Sequence, residues 1–199
     1  MQKDHFKERA EGWDKGSVRV QGAMKISDAI AQTINLNKEM EVIDFGTGTG
    51  LLGFLVAPDV KQIHGVDTSS KMLEKLEEKN SSEISIKTYC QDIIKEPLTQ
   101  KFDGLISSMT LHHIEDLKLF FKTIYETLKD NGFIAIADLV KEDGTFHSNN
   151  DGVFHFGFER DALVAIVTEA GFKDVRFEIV NTIDKPHRDF DLFLLSGGK

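Results

Sequence analysis

Short apolar runs that end in Asp, Gly or Ser alternate along this chain with stripes of helical period, and that alternation limits the possible folds more than any other feature. Glu41-Val42-Ile43-Asp44-Phe45 reads as a buried strand, and Leu51, Leu52, Leu55 and Val56 mark a helix that Pro58 stops. Gln62-Ile63-His64-Gly65-Val66 is a second strand ending at Asp67; Thr68 or Ser69 can cap the helix after it, whose inner face is Met72, Leu73 and Leu76. Ile84-Ser85-Ile86-Lys87-Thr88-Tyr89 and Phe102-Asp103-Gly104-Leu105-Ile106-Ser107 supply two more strands. Leu117, Phe120, Phe121, Ile124 and Leu128 form a helical stripe within residues 115–129, which Asn131-Gly132 closes before the strand Phe133-Ile134-Ala135-Ile136-Ala137. A last helix carries Leu163, Ile166, Val167 and Ala170 up to Gly171. Two final strands, 175–183 and 190–195, flank a turn at Lys185-Pro186 short enough to force antiparallel pairing. Upstream, Ile26, Ile30 and Ile34 mark a helix over 23–35, after a polar stretch carrying Phe6, Ala10 and Trp13. Five such alternations imply an α/β sandwich with a mostly parallel sheet covered on both faces.

Ligands of such sheets bind beyond the carboxyl ends of the strands, where the strand order switches. The polar residues of interest fall there: the glycine-rich segment after the first strand, Asp67 after the second, Asp92 after the third, Ser107 and Ser108 after the fourth, and Asp138 after the fifth. Gly48-Thr49-Gly50-Leu51-Leu52-Gly53 satisfies the dinucleotide pattern G-x-G-x-x-G, with Asp67 19 residues after Gly48, and by itself suggests NAD. Asp44 argues against it, because a strand-end carboxylate pointing into the space of a pyrophosphate opposes the phosphate charge. At roughly 6 Å and an effective dielectric of about 20 the repulsion costs about 3 kcal/mol. A ligand bearing an ammonium or sulfonium cation gains where the phosphate loses. The glycines also begin at Gly46, which favours D-x-G-x-G-x-G as the element.

Net charge is −9, from 24 Lys and Arg against 33 Asp and Glu, so a long polyanion such as nucleic acid is a disfavoured partner. No run of about 18 apolar residues is present, the polar opening Met1-Gln2-Lys3-Asp4-His5 lacks a leader's apolar core, and Cys90 is the single cysteine. The expectation is a cytoplasmic protein without a membrane span, with Cys90 buried rather than reactive. No His, Cys and Asp cluster has metal-ligand spacing, so no metal is expected. The 15 Phe stand against two Tyr and one Trp, and 11 of them lie at or after Phe120, which reads chiefly as core.

The blocks Val42-Ile43-Asp44-Phe45-Gly46-Thr47-Gly48-Thr49-Gly50, Gly65-Val66-Asp67-Thr68-Ser69-Ser70-Lys71-Met72-Leu73 and Cys90-Gln91-Asp92-Ile93 follow one another at regular spacing. Phe102-Asp103-Gly104-Leu105-Ile106-Ser107-Ser108-Met109-Thr110-Leu111-His112-His113-Ile114 and Leu128-Lys129-Asp130-Asn131-Gly132-Phe133 continue the series. In this order they resemble the class I S-adenosylmethionine-dependent methyltransferases, of the small kind that carry the methyltransferase domain and little else. The resemblance covers nearly the whole chain. It implies a Rossmann-like three-layer sandwich whose seven-stranded, mostly parallel sheet has an antiparallel C-terminal strand. Residues 1–199 would form a single domain, with 1–38 as N-terminal cover helices and 141–158 as an irregular, lid-like insertion.

The resemblance also implies S-adenosyl-L-methionine as cofactor and S-adenosyl-L-homocysteine as product. Gly46, Thr47, Gly48 and Gly50 would let the backbone approach the cofactor's amino acid and ribose. Asp44 would orient the ammonium end, directly or through the loop amides, or simply cap the following turn. Asp67, beside Thr68, would accept from both ribose hydroxyls. Met72 would pack on the adenine or in the core. Asp92 would accept from the adenine amine while the Ile93 amide meets the ring edge, or Asp92 is a solvated turn residue. Ser107 and Ser108, with Met109, begin the segment beside the donor methyl. Trp13, with Phe6, would cover the cofactor or act as a hydrophobic anchor.

Transfer to an already activated methyl needs alignment above all, and orientation contributes on the order of 7–11 kcal/mol. A hydroxyl or acidic carbon also needs a proton acceptor, and histidine suits neutral pH. His112, in the pair that follows the fourth strand, and His155, in Phe154-His155-Phe156-Gly157-Phe158, are the catalytic candidates; His147 lies in the same insertion. An aromatic lid there would exclude water and hold an apolar or aromatic acceptor, or else pack on the sheet. The readings that follow are a methyltransferase acting on a small molecule, an inactive S-adenosylmethionine- or S-adenosylhomocysteine-binding protein of the same fold, and, disfavoured by Asp44, an NAD-dependent reductase. The acceptor and the oligomeric state are not written in the sequence.

Overall fold

The computed structural model describes Asp14 and residues 17–199. In chain order these form α1 (Ser17–Thr33), β1 (Glu41–Phe45), α2 (Leu51–Val56), β2 (Gln62–Asp67), α3 (Ser70–Glu77), β3 (Lys87–Cys90), β4 (Phe102–Ser108), α4 (Leu117–Thr127), β5 (Leu128–Leu139), α5 (Arg160–Glu169), β6 (Lys173–Lys185) and β7 (Arg188–Gly198). The seven strands lie in the order β3-β2-β1-β4-β5-β7-β6. Strands β1 to β5 pair in parallel, and β7 runs antiparallel to both β5 and β6. This is the expected Rossmann-like sheet, and its order switches between β1 and β4.

Alternation along the strands builds two cores. Ile134 and Ile136 of β5 face one side, with Phe120, Phe121 and Ile124 of α4 and Leu163 and Val167 of α5. Ala135, Ala137 and Leu139 face the other, with Ile26 and Ile30 of α1, Leu52 and Val56 of α2, and Leu73 and Leu76 of α3. Among the described residues ten Phe, including Phe102, Phe172 and Phe193, are buried, as a core role requires, whereas Phe154 and Phe156 are 52% and 36% exposed.

Local signals place most boundaries. Ser69 Oγ accepts from the Met72 amide at the start of α3, and Asp116 does the same for Leu119 at the start of α4. Several boundaries differ from the sequence reading: α1 begins at Ser17 rather than at 23, β5 at Leu128 rather than at Phe133, and β6 and β7 run beyond 175–183 and 190–195. Helix α4 ends at Thr127, four residues before Asn131, because Leu128 is already extended and pairs with Phe102. Strand β3 begins only at Lys87, since its partner β2 offers register from His64 to Asp67. As the edge of the sheet, β3 also leaves Cys90 exposed, which corrects the expectation that this thiol is buried.

Candidate functional site at the carboxyl edge of the sheet

The loop after β1 is held in a conformation open to glycine. Gly46, Gly48 and Gly50 have φ of 64°, 55° and 81°, and the Gly46 and Thr47 amides both donate to the Val66 carbonyl at 2.9 and 3.1 Å. A Cβ on Gly46 would lie 2.2 Å from Thr110 Oγ1, so glycine there lets the loop meet the segment after β4. A Cβ on Gly48 would meet nothing within 4 Å. Gly48 therefore presents bare backbone to open space at the switch point, a cradle that a side chain would fill.

Asp67 fixes that cradle: Oδ2 accepts from the Gly48 amide and Oδ1 from the Ser69 amide, each at 2.8 Å. Asp44 does not point into the ligand space as the strand-end argument assumed. It is 2% exposed, accepts from Thr47 Oγ1 at 2.6 Å, and sits where a Cβ on Gly53 would be 2.8 Å from its Oδ2. Burial pushes its pKa up to about 7, assisted by the Asp67 charge and opposed by hydrogen bonds from Thr47 and the Gly53 amide. Asp44 thus disfavours a phosphate by filling the anion position at the start of α2 with its own carboxyl. Gly53, the third glycine of the dinucleotide pattern, is there to admit it.

The remaining candidates divide between the cleft and the frame. Thr68 is exposed, Ser108 half-buried and Ile93 fully buried. Asp92 is half-buried; its Oδ1 accepts from the Ile94 amide at 3.1 Å and its Oδ2 pairs with Lys95 at 2.6 Å. Ser107 Oγ donates to the Phe45 carbonyl at 2.7 Å and ties β4 to β1. Met72 is buried on the inner face of α3. Trp13 and Phe6 lie outside the described residues, but Asp14, directly after Trp13, accepts from Thr49 Oγ1 at 2.5 Å and from Lys79 at 2.8 Å. The chain therefore approaches the glycine loop at that point.

Beyond β4 the backbone turns at Met109, φ 56°, into a single turn, Leu111–His113. His112 is 1% exposed, and its Nδ1 donates to Asp138 Oδ1 at 2.8 Å, while Asp138 Oδ2 accepts from the His112 amide at 3.1 Å. Burial presses the Asp138 pKa upward, but the His112 charge and the hydrogen bonds from His112 and Leu139 outweigh it and hold the carboxyl below its ordinary value. The insertion 141–158 folds back over this pair. Its ends pair through Lys141 and Glu142 amides on the Phe158 and Phe156 carbonyls, and the Phe154 and His155 amides both donate to the His112 carbonyl. His155 Nε2 donates to the Ile114 carbonyl at 2.8 Å, so that nitrogen anchors the insertion and is not a free proton acceptor. His155 also borders a groove of about 610 Å³ with Glu115, Asp116, Leu117, Lys118 and Ile166, on the α4 side. Asp138 and His147 join the site, although the sequence reading gave neither of them a role. Asp138 had the signal of its place after the fifth strand; its bond to a residue 26 positions away had none. Among the described residues no group of three or more His, Cys, Asp and Glu could hold a metal ion, and no helix is long and apolar enough to cross a membrane.

Residues 36–155 match the model of a family described as a methyltransferase domain. An uncharacterized methyltransferase of Schizosaccharomyces pombe is 35% identical over 120 residues, which are 55% of this chain and 42% of that protein. The malonyl-[acyl-carrier protein] O-methyltransferase of Acetivibrio thermocellus is 27% identical over 160 residues, 78% of this chain and 52% of that one. The chain thus spans about half the length of these curated relatives. Among solved structures, phosphoethanolamine N-methyltransferase 2 of Haemonchus contortus, in complex with S-adenosyl-L-methionine, superposes with a TM-score of 0.72 at 16% identity. That match covers 96% of this chain and 59% of the other, and at such identity it speaks for the fold.

Proposed function

The chain belongs to the methyltransferase-domain family, in its class I form, and from that membership we propose that it transfers a methyl group from S-adenosylmethionine to a small-molecule acceptor. The observation that carries the reading is the Gly48 cradle, bare of side chain, facing open space and fixed by Asp67. When bound, S-adenosylmethionine supplies a methyl group already activated on a sulfonium, and S-adenosylhomocysteine remains afterwards. Gly46, Thr47, Gly48 and Gly50 form the loop against which its amino acid and ribose rest. Asp67 takes the ribose hydroxyls with carboxylate capacity for roughly four hydrogen bonds, beside Thr68. Asp92 and the Ile93 amide meet the adenine, and Met72 supports that wall from the core. Asp44 acts through the loop rather than by contact, Ser107 and Ser108 set the floor beside the methyl position, and Trp13 covers it from the N-terminal side. The NAD reading has no support left, because Gly53 makes room for Asp44 rather than for a pyrophosphate.

The acceptor's place in this reading is between His112 and the insertion 141–158, and of the two histidine candidates His112 is the one whose ring is oriented by a carboxylate and whose other nitrogen is buried without a partner. A small-molecule acceptor suits the acidic chain better than nucleic acid does, and cytoplasmic location remains part of the proposal. Calorimetry with S-adenosylmethionine, S-adenosylhomocysteine and NAD tests the cofactor, with Asp67→Ala expected to lose at least about 100-fold in affinity through two charged hydrogen bonds. NAD binding with no response to the other two ligands overturns it. Labelled methyl transfer into a metabolite extract tests activity; tight cofactor binding with an unlabelled extract favours a non-catalytic binding protein.

A further inference from the structure

Among the described residues three buried side-chain polar atoms have no hydrogen-bond partner: His112 Nε2, His147 Nε2 and Glu142 Oε1. All three belong to one neighbourhood. The His112 and His147 rings lie 4.8 Å apart, and the Phe146 ring lies 4.8 Å from His147. Glu142 Oε2 accepts from the Gly144, Thr145 and Phe146 amides at 2.8, 2.8 and 3.2 Å, which leaves Oε1 bare on the same loop. Each unserved atom costs about 1–3 kcal/mol. In the described part such atoms occur only on this turn and on the loop that covers it, where a molecule from outside would serve them.

His112 is the best defined of the three. Asp138 is fully buried and accepts from Nδ1, which fixes the tautomer and leaves the lone pair on Nε2, the arrangement of a histidine base oriented by a carboxylate. We propose that His112 Nε2 is the proton acceptor of the reaction, that Asp138 is its positioning residue, and that the acceptor substrate is therefore one that must shed a proton as it attacks, a hydroxyl compound or, less simply activated, an acidic carbon. This rests on the methyl-transfer reading above. A neutral amine attacks with its own lone pair and sheds its proton afterwards, and a thiolate or carboxylate has no proton to lose. A hydroxyl at neutral pH does need a base. The hydroxyl proton passes to His112 Nε2 as the oxygen's electron pair forms the bond to the methyl carbon. The carbon–sulfur bond breaks with its pair going to sulfur, so the products are a methyl ether, a neutral thioether and an imidazolium facing the Asp138 carboxylate. Of the groups around this ring, the Asp138 carboxylate is the one that suits that charge. Asp138 faces it from β5, His113 from its own turn at 4.1 Å between ring centroids, and His147 from the insertion. His147 stays neutral at pH 7, because burial, then the charges of His112 and His113, push its pKa down to about 4, with Asp138 and Lys185 as smaller influences.

Two measurements on the full chain decide the matter. Imidazole nitrogen NMR of the unsubstituted protein should show His112, when neutral, as the Nδ1–H tautomer, and Asp138→Asn should lose that preference; an Nε2–H tautomer in the unsubstituted protein overturns the proposal. Transfer from labelled S-adenosylmethionine is then compared between catechol and benzylamine. Catechol should be methylated, and His112→Asn, which keeps a donor for Asp138 but removes Nε2, should lower that rate about 100-fold at pH 7. The deficit should shrink near pH 10, where a phenol ionises unaided. Asp138→Asn should lower the rate about 10-fold or more and displace its pH midpoint. Catechol left unmethylated by a protein that binds S-adenosylmethionine, or methylated equally well without His112, or benzylamine taken in preference, overturns the hydroxyl assignment and leaves methyl transfer standing. Failure to bind S-adenosylmethionine overturns methyl transfer itself.

Discussion

The glycine-loop side and the insertion side of the carboxyl edge both carry buried or half-buried polar residues and reach opposite hydrogen-bonding states. Beside the loop, Asp44 takes Thr47 and Gly53, Asp67 takes Gly48 and Ser69, and Ser107 takes Phe45. Beside the insertion, His112, His147 and Glu142 each keep one buried atom without a partner. His64 shows that burial alone does not produce this state: it is as buried as His112, at 1%, yet its two ring nitrogens meet Tyr89 and Glu41, each at 3.1 Å. The lesson is that the loop half is preorganised by its own chain, whereas the insertion half is complete only with something added.

That contrast can be broken experimentally. The largest expected effect is from His112→Leu, which leaves the Asp138 charge buried and uncompensated and should cost about 3–5 kcal/mol in urea unfolding. His64→Leu leaves Glu41 beside Lys61 and partly in solvent, and should cost clearly less. Equal losses would mean that His112 is no more than a core histidine.

Asp44 supplies the next effect, and its sign depends on pH. Its folded pKa, about 7, lies above the ordinary 3.8, so the native state favours the protonated carboxyl. Stability from this group is fully present below about pH 4 and is lost as pH rises through about 7. Asp44→Asn should therefore stabilise the protein at pH 8, on the order of 3–4 kcal/mol, and change little at pH 4. A stability difference that does not vary between those pH values would remove burial as the dominant influence on Asp44.

The two smaller effects separate packing from ligand space within one loop. Gly46→Ala drives a Cβ into Thr110 at a positive φ and should cost about 2–3 kcal/mol of stability. Gly48→Ala enters open space, so only the left-handed backbone is penalised, by about 1 kcal/mol, while cofactor affinity should fall by about 10-fold or more. If calorimetry finds cofactor affinity unchanged in Gly48→Ala, the cradle is not where the ligand rests.

Much of this was legible from spacing. Asp44 to Gly50, Asp67 and the apolar stripe of α4 each announce a local structure, because strand ends, glycine turns and helical faces are short-range phenomena. The end of α4 was not, since Leu128 leaves the helix to pair with Phe102 in another strand. Nor was the exposure of Cys90, which depends on β3 having no outer neighbour. His155 was readable as a histidine in an aromatic insertion, but its bond to the Ile114 carbonyl was not.

The sequence by itself determined the alternation, the parallel sheet, the positions after each strand where polar residues gather, and a resemblance that the family match then showed to be kinship. Tertiary structure alone decided where those polar groups point. It turned Asp44 inward beneath the loop, bound His112 to Asp138 across 26 residues, and, among the described residues, left three buried atoms unpaired on the insertion and the turn it covers. The reason is physical. Periodicity and turn chemistry act within a few residues, whereas burial, hydrogen-bond completion and pKa depend on neighbours that only the packed sheet brings together.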